Sequence, residues 1–342
     1  MKRILVLYKE LAGYFIACLD ELCQKHNVEA DVIAYPVHAD APFQFKHSSR
    51  IRIISRNTVS DVELCRMAAD SNYNLIFTGG WFDKGYLKAL RGRKAPALLG
   101  FDNAWQGSIK QQASALYGRL FIRPLFEYAF VPGSKQRAFA LRLGFNENQI
   151  ITGAYSCDVS RFSTVQLQAQ TKKRLVYAGR YSPEKFIEPL FQAFHELTSN
   201  RFPDWELHCI GTGPLWEARM QSPHIVHHGF MQPDELLSFM PTGSAYILPS
   251  TFEPWGVAAH EFAAAGYPLI LSNAVGAAEA FLEDGVNGYL FNSAHQDAMK
   301  AAMAKLMLHS QSELTAMGAK SREMAMHITP TTWANDLARI MS

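Results

Sequence analysis

Short apolar, β-prone runs recur along the chain, each followed by a glycine-containing loop or a stretch of helix-forming residues. Residues 3–8, 31–35, 51–54, 74–78, 96–101 and 127–131 read as strands in the first half, and 174–178, 205–210, 225–228 and 245–248 resume the rhythm in the second. Helix signals fall between them. Phe15, Leu19 and Leu22 share one face, and Ser60 with Glu63 makes a capping box that opens a helix to Ala69. Alternation of this kind demands parallel strands joined by crossovers, with helices covering the sheets. The fold class is therefore α/β. A length of 342 residues suits roughly two such domains, each with its own core. The polar segment 166–173, QLQAQTKK, has no core pattern and divides them into 1–165 and 174–326. Helices are expected over 293–308, 312–326 and 331–341.

Composition narrows the class. Hydrophobic residues make up 48% and charged residues 19%, the balance of an ordinary globular protein. Cys18, Cys23, Cys65, Cys157 and Cys209 are scattered without a C-x-x-C pair, which favours reduced thiols in a cytoplasmic setting over a disulfide or zinc framework. The opening MKRILVLYKE turns polar at once and reads as a strand rather than a signal peptide, and no apolar run is long enough to span a bilayer. Residues 1–160 carry 20 Lys/Arg against 14 Asp/Glu, and the remainder 13 against 17. A mildly basic first half suits an anionic acceptor or membrane headgroups, and equally a plain solvated surface. Nothing points to nucleic acid.

The chemistry concentrates in residues 249–279, PSTFEPWGVAAHEFAAAGYPLILSNAVGAAE. A buried strand ends there in a turn rich in Pro, Ser and Thr, a helix follows over 257–265, and Gly266 stops it. Glu253 lies in the turn and Glu261 one turn into the helix. Both can face the helix N-terminus, where free amides and the positive dipole end favour an anion. Gly256 lets a ligand approach the backbone. A phosphate on the amides with carboxylates beside it suits a ligand that is part phosphate and part polyol, as a sugar nucleotide is. A helix whose glutamates only compensate its dipole would explain one of them but not the whole string.

That string, E-P-W-G-x4-E within PS-x2-E-P-W-G-x4-E-x-A-A-x-G-x-P, resembles the E-x7-E signature of family 4 retaining glycosyltransferases. The resemblance implies a GT-B fold: two Rossmann-like domains facing across a cleft that holds the active site, with a last helix, 327–342, crossing back to the first domain. Trp333 and Leu337 would anchor that helix. Gly179-Arg180-x2-Pro183-Glu184-Lys185 matches the family's G-R-x-x-P-E-K-G except that Phe186 replaces the last glycine. No D-x-D pair occurs in the chain. Arg180 and Lys185 would therefore hold the donor diphosphate in place of a metal, and no cofactor is expected beyond the donor itself. Cations at a helix start oppose its dipole, so something anionic nearby would explain them. Gly211-x-Gly213-Pro214 matches the family loop near the nucleotide, and Phe230, after Gly229, falls in the segment along the nucleobase.

Other patterns weigh less. His224, His227 and His228 lack a completing carboxylate or cysteine and suit a strand. His260-Glu261 begins like a zincin motif, but Ala264 stands where the second histidine belongs. Asp102 occupies the strand end where the family has a histidine facing the sugar, and the usual glycine pair of the first loop is reduced to Gly13. Residues 116–131 mix aromatics with Arg119 and Arg123, as a membrane-facing surface would, although burial in the core is the preferred reading.

The resemblance implies retaining, metal-independent transfer of a sugar from a nucleotide sugar to a glycan or lipid-linked acceptor, in surface polysaccharide synthesis. The setting would be the cytoplasm, with peripheral contact at the inner face of the membrane. Glu261 would hold the ribose hydroxyls, and Glu253 the sugar hydroxyls with the amides of Gly256 and Val257. Asp102 would lie in the cleft facing Glu253 and assist transfer, or else, with Asn103, merely cap the next helix or shape its loop. An epimerase or phosphorylase of the same shape, or a non-catalytic sugar-nucleotide-binding subunit, would share these features.

Overall fold

The computed structural model describes residues 1–37, 43, 44, 46–168 and 171–341. The chain divides into two compact units, Met1–Ser156 with Ile328–Ser342, and Cys157–His327.

The first unit runs β1 (Lys2–Glu10), α1 (Gly13–Lys25), β2 (Val28–Tyr35), β3 (Ile51–Ser55), α2 (Asp61–Ala68), β4 (Leu75–Gly79), α3 (Lys84–Leu90), β5 (Ala97–Gly100), α4 (Ile109–Phe121), β6 (Tyr128–Val131), α5 (Ser134–Arg142) and β7 (Ile150–Thr152). Its seven strands are parallel in the order β3-β2-β1-β4-β5-β6-β7. Successive residues of β1 feed opposite cores: Leu5 and Leu7 join the cluster with Leu64, Tyr86 and Phe139, while Ile4 and Val6 join Phe15, Leu19 and Leu22. A strand buried on both faces is what a continuous apolar run encodes. Ser60 accepts a hydrogen bond from the Glu63 amide at 3.2 Å and so caps α2.

The second unit runs α6 (Val159–Phe162), β8 (Lys173–Ala178), α7 (Ile187–Asn200), β9 (Trp205–Ile210), β10 (Ile225–Gly229), α8 (Pro233–Phe239), β11 (Ala245–Leu248), α9 (Val257–Ala264), β12 (Leu269–Ser272), α10 (Ala278–Phe281), β13 (Gly288–Phe291), α11 (Gln296–Met307) and α12 (Gln311–Ala325). Six parallel strands lie in the order β10-β9-β8-β11-β12-β13. In each sheet the strand order reverses once, beside β1 and beside β8. Such switch points open a crevice at the carboxyl ends of the strands.

The division between units comes earlier than the polar segment 166–173, of which Ala169 and Gln170 lie outside the described residues. Residues 157–165 belong to the second unit because α6 packs on α9, Val159 and Phe162 are buried, and Arg322 donates to the Val165 carbonyl at 2.7 Å. A second difference concerns residues 116–126. Tyr128–Val131 is a buried strand, as read, but Leu116, Tyr117, Leu120 and Phe121 stand exposed on α4.

After α12 the chain returns to the first unit as α13 (Pro330–Ile340), which packs on α1. Trp333 is 1% exposed among Phe15, Phe77 and Phe130, and its indole N–H donates to the Ala154 carbonyl at 3.0 Å. Trp333→Ala removes that packing and strands a buried carbonyl, so it should lower the stability of the first unit by about 3–5 kcal/mol, read from urea unfolding followed by circular dichroism.

Candidate functional site

The two strongest motifs are far apart in sequence, yet they follow neighbouring strands. β8 leads into Gly179–Phe186 and β11 into residues 249–256, and the strands pair in parallel with Ala245 opposite Leu175 and Tyr246 opposite Val176. Both loops therefore leave the sheet at its switch point, from its carboxyl edge.

They are tied together there. The Thr251 amide donates to the Glu184 carbonyl at 2.8 Å. The Lys185 ammonium ion-pairs with the Glu253 carboxylate, and both side chains are mostly buried. Glu253 also accepts from the Ser250 hydroxyl at 3.3 Å, and Ser250 is fully buried. The anion required beside a cation at the start of α7 is thus Glu253, at least for Lys185. Arg180 is exposed, and its charge reaches Glu184. The Ser182 hydroxyl, hydrogen-bonded at 2.5 Å, holds the Glu184 carboxyl below its usual range, with Lys185 and Arg180 adding to the effect.

Phe186 adopts φ 55°, ψ 34°, the left-handed region, between the turn Pro183–Lys185 and α7. Glycine takes this conformation freely, and a bulky residue does not. The position where the resembled motif carries glycine is one whose backbone needs it.

Gly256 is also left-handed, at φ 98°, and serves as N-cap of α9 without a side-chain cap. A Cβ there would press within 3.0 Å of the Glu253 side chain. Among the described residues, the amides of Val257 and Ala258 meet no protein acceptor, and the first to turn back is Ala259, onto the Gly256 carbonyl at 3.0 Å. The loop is held in place by Gly276 and Ala277, whose amides donate to Glu253 and Trp255 carbonyls at 3.0 and 2.8 Å.

Glu261 is half-buried on α9. Removal from water pushes its carboxyl up to about 7 from the ordinary 4.5, opposed only by Arg161. Its neighbour His260 points the other way, fully buried and stacked on Phe281 at 4.1 Å. Its Nδ1 accepts from the Cys157 amide at 3.1 Å and its Nε2 donates to the Ala325 carbonyl at 2.9 Å, and burial brings its pKa down to about 4. His260 is a neutral internal strut. The phenol of Tyr246 is driven up mainly by burial, with the charges of Glu253 and Glu261 both contributing.

Of three neighbouring strands, β8 and β9 are each followed at once by a glycine, Gly179 and Gly211, and β10 ends on Gly229. The Gly179 amide donates to the Ile210 carbonyl at 3.0 Å and the Gly211 amide to the Gly229 carbonyl at 2.7 Å. A Cβ on Gly211, at φ 126°, would lie 2.1 Å from the Gly179 carbonyl oxygen. Phe230, half-buried, follows Gly229. His227 and His228 alternate along β10 and so part company: His227 bonds the Tyr181 hydroxyl and the Met220 carbonyl, and His228 bonds His208.

In the first unit, Asp102 follows β5, and its carbonyl accepts from the Gln136 side chain at 3.1 Å. It does not cap the next helix, because Ser108 does, accepting from the Gln111 amide at 3.2 Å. The Asp102 charge is felt by Tyr8, Tyr14 and Tyr155, whose phenols are driven up first by burial. This trio comes from β1, α1 and the loop after β7, and no sequence spacing links its members. Glu184 and Ser250 were likewise not read as site residues, though both stand inside the quoted strings.

Residues 159–324 match the family model described as glycosyl transferases group 1. The sulfoquinovosyl transferase SQD2 of Arabidopsis thaliana is 27% identical over 157 residues, which cover 44% of this chain and 30% of that protein. The chain thus spans less than a third of that relative's length. Among solved structures, the sucrose-phosphate synthase of Thermosynechococcus elongatus superposes with TM-score 0.75 at 17% identity, covering 99% of this chain and 98% of that one. Anabaena HepE in complex with UDP gives TM-score 0.76 at 13% identity, with 99% of each chain covered. These likenesses establish the fold: two parallel sheets flanked by helices, of GT-B type.

Two outcomes follow from this geometry. Phe186→Gly should be more stable than Phe186→Ala by about 1 kcal/mol in denaturant unfolding, because both lose the ring and only glycine escapes the strain; the opposite order would mean that the backbone there is free to relax. For Glu261, the folded protein holds the proton more tightly than the unfolded chain, so stability falls as pH rises from 4.5 to about 7. Glu261→Gln should therefore stabilise the protein by about 1–3 kcal/mol at pH 8 and give no gain at pH 4, measured by thermal unfolding.

Proposed function

We propose that this chain transfers a sugar from a nucleoside-diphosphate sugar to a glycan or lipid-linked acceptor, with retention at the anomeric carbon and without a divalent ion. The observation that carries the reading is the Lys185–Glu253 pair, set at the ends of adjacent strands beside the open amides of α9. An ammonium has three donors. One on Glu253 leaves two for a diphosphate, so a single lysine can link phosphate and sugar pockets.

In this reading Lys185 and Arg180 stabilise the charge that grows on the departing diphosphate, which makes them effective in the transition state. Glu253, with the amides of Gly256 and Val257, takes the sugar hydroxyls. Glu261 accepts from the ribose hydroxyls, and the nucleotide lies along the Gly211 loop and Phe230. The acceptor oxygen bonds to the anomeric carbon as the diphosphate leaves with the electron pair, and Asp102 takes the hydroxyl proton. The negative charge of Asp102 also favours positive character at that carbon. The setting proposed is surface polysaccharide assembly in the cytoplasm, in contact with the inner face of a membrane.

Uridine donors are the first to test, because the structural neighbour HepE was solved with UDP. Turnover of a UDP-sugar should persist in EDTA. Lys185→Ala should lower kcat/KM by about 10²–10³-fold, the usual loss on removing one preorganised electrostatic group. By calorimetry, Glu261→Gln should weaken UDP and UDP-sugar alike, whereas Glu253→Gln should weaken mainly the UDP-sugar, since it leaves Lys185 free for phosphate. Asp102→Asn should lower kcat at unchanged donor affinity. Full activity in Lys185→Ala, or equal effects of the two glutamate variants on both ligands, would overturn the assignment.

A further inference from the structure

Helix α4 is turned inside out. Its body-facing positions are Gln111, Ala115, Gly118 and, just past its end, Ile122, while Ile109, Leu116, Tyr117, Leu120 and Phe121 are 58–86% exposed. The orientation is fixed by packing. A Cβ on Gly118 would lie 2.5 Å from the Leu143 side chain, so a larger residue beneath the helix would have to displace Leu143. Gln111 is locked at the N-terminal end, accepting from the Gln106 amide at 2.6 Å and donating to the Ala104 carbonyl at 2.7 Å. The large apolar side chains therefore cannot rotate inward. At 100° per residue, Ile109, Leu116 and Leu120 fall at the centre of the outward face, with the Tyr117 and Phe121 rings in tilted contact at 4.9 Å on one flank.

Charge identifies what covers this face. No Asp or Glu occurs between Asp102 and Glu127, while Lys110 and Arg119 flank the apolar strip on opposite sides. Arg123 is held by the Gly144 and Phe126 carbonyls and Gln149, and belongs to the fold. An apolar centre bordered by cations matches the acyl boundary and headgroups of an anionic bilayer. A two-fold contact with a second copy would instead set these cations near one another with no acid on the helix to balance them. Among the described residues no helix is long and apolar enough to cross a membrane, so α4 would lie in the interface plane.

We infer that the exposed face of α4 is an interfacial docking surface for anionic phospholipid. It supplies the surface for the membrane contact proposed above. The test needs no turnover, so failure of the transferase reading leaves it standing.

The full chain should co-sediment with phosphatidylcholine–phosphatidylglycerol vesicles and stay largely in solution with phosphatidylcholine alone. Leu116→Glu/Leu120→Glu should weaken vesicle binding about tenfold or more, and Lys110→Glu/Arg119→Glu should abolish the preference for anionic lipid. The four substituted side chains are exposed, so thermal midpoints should match the parent and certify folding. Wild-type protein that ignores anionic vesicles, or a double-glutamate variant that binds as the parent does, overturns the inference. So does a wild-type dimer in sedimentation equilibrium that the same variant converts to monomer, which would assign the face to a second copy.

Discussion

The parallel pairing of β8 with β11 is the contact on which the rest of the second unit depends. Strands that neighbour each other at a switch point send their crossover helices to opposite sides, and the loops that precede those helices are left facing a common crevice. Register then decides which residues meet. With Tyr246 opposite Val176, the loop carrying Lys185 and the loop carrying Glu253 leave the sheet at the same height. The ion pair between them is a readout of that register, because a slip of one residue would turn every side chain of a strand to the other face.

The two glutamates of one motif then acquire different electrostatics from where they sit. Glu253 lies in a loop that brings it a counter-ion and a serine hydroxyl. Glu261 lies on a helix face where burial outweighs the effect of Arg161, and its carboxyl moves up to about 7. A shared spacing thus gives one carboxylate paired with a lysine and one whose hold on its proton is tightened by burial, a difference that surroundings create and spacing alone does not.

Much of this was legible in the sequence, and the exceptions have physical causes. Strands buried on both faces announce themselves as apolar runs, so the sheet strands from β1 to β11 were readable apart from β7, whose three residues are too short to show a pattern. Gly266 was readable as the glycine that stops a helix, and it has positive φ; Gly256 was read only as a point of close ligand approach, and its left-handed backbone is a second reason for glycine there. Phe186 concealed the same requirement, since a phenylalanine gives no hint of a left-handed backbone. The exposed face of α4 was misread because apolar content shows that a stripe exists without showing which way it faces. The small residues Ala115 and Gly118 at the true inner positions were the available signal. The boundary was drawn at a polar stretch, but a short helix ahead of it had already committed to the second core.

The return of α13 to the first unit makes that unit discontinuous in the chain: 171 residues of another core separate Ser156 from Ile328. During synthesis the usual order, in which the amino-terminal domain completes itself first, is therefore not available. The first sheet can form early, but the face that Trp333 fills stays uncovered until all of the second unit has been made. For that interval Phe15, Phe77 and Phe130 present an aromatic patch to the surrounding solution. Completion of the amino-terminal core is thus tied to the last residues to be translated.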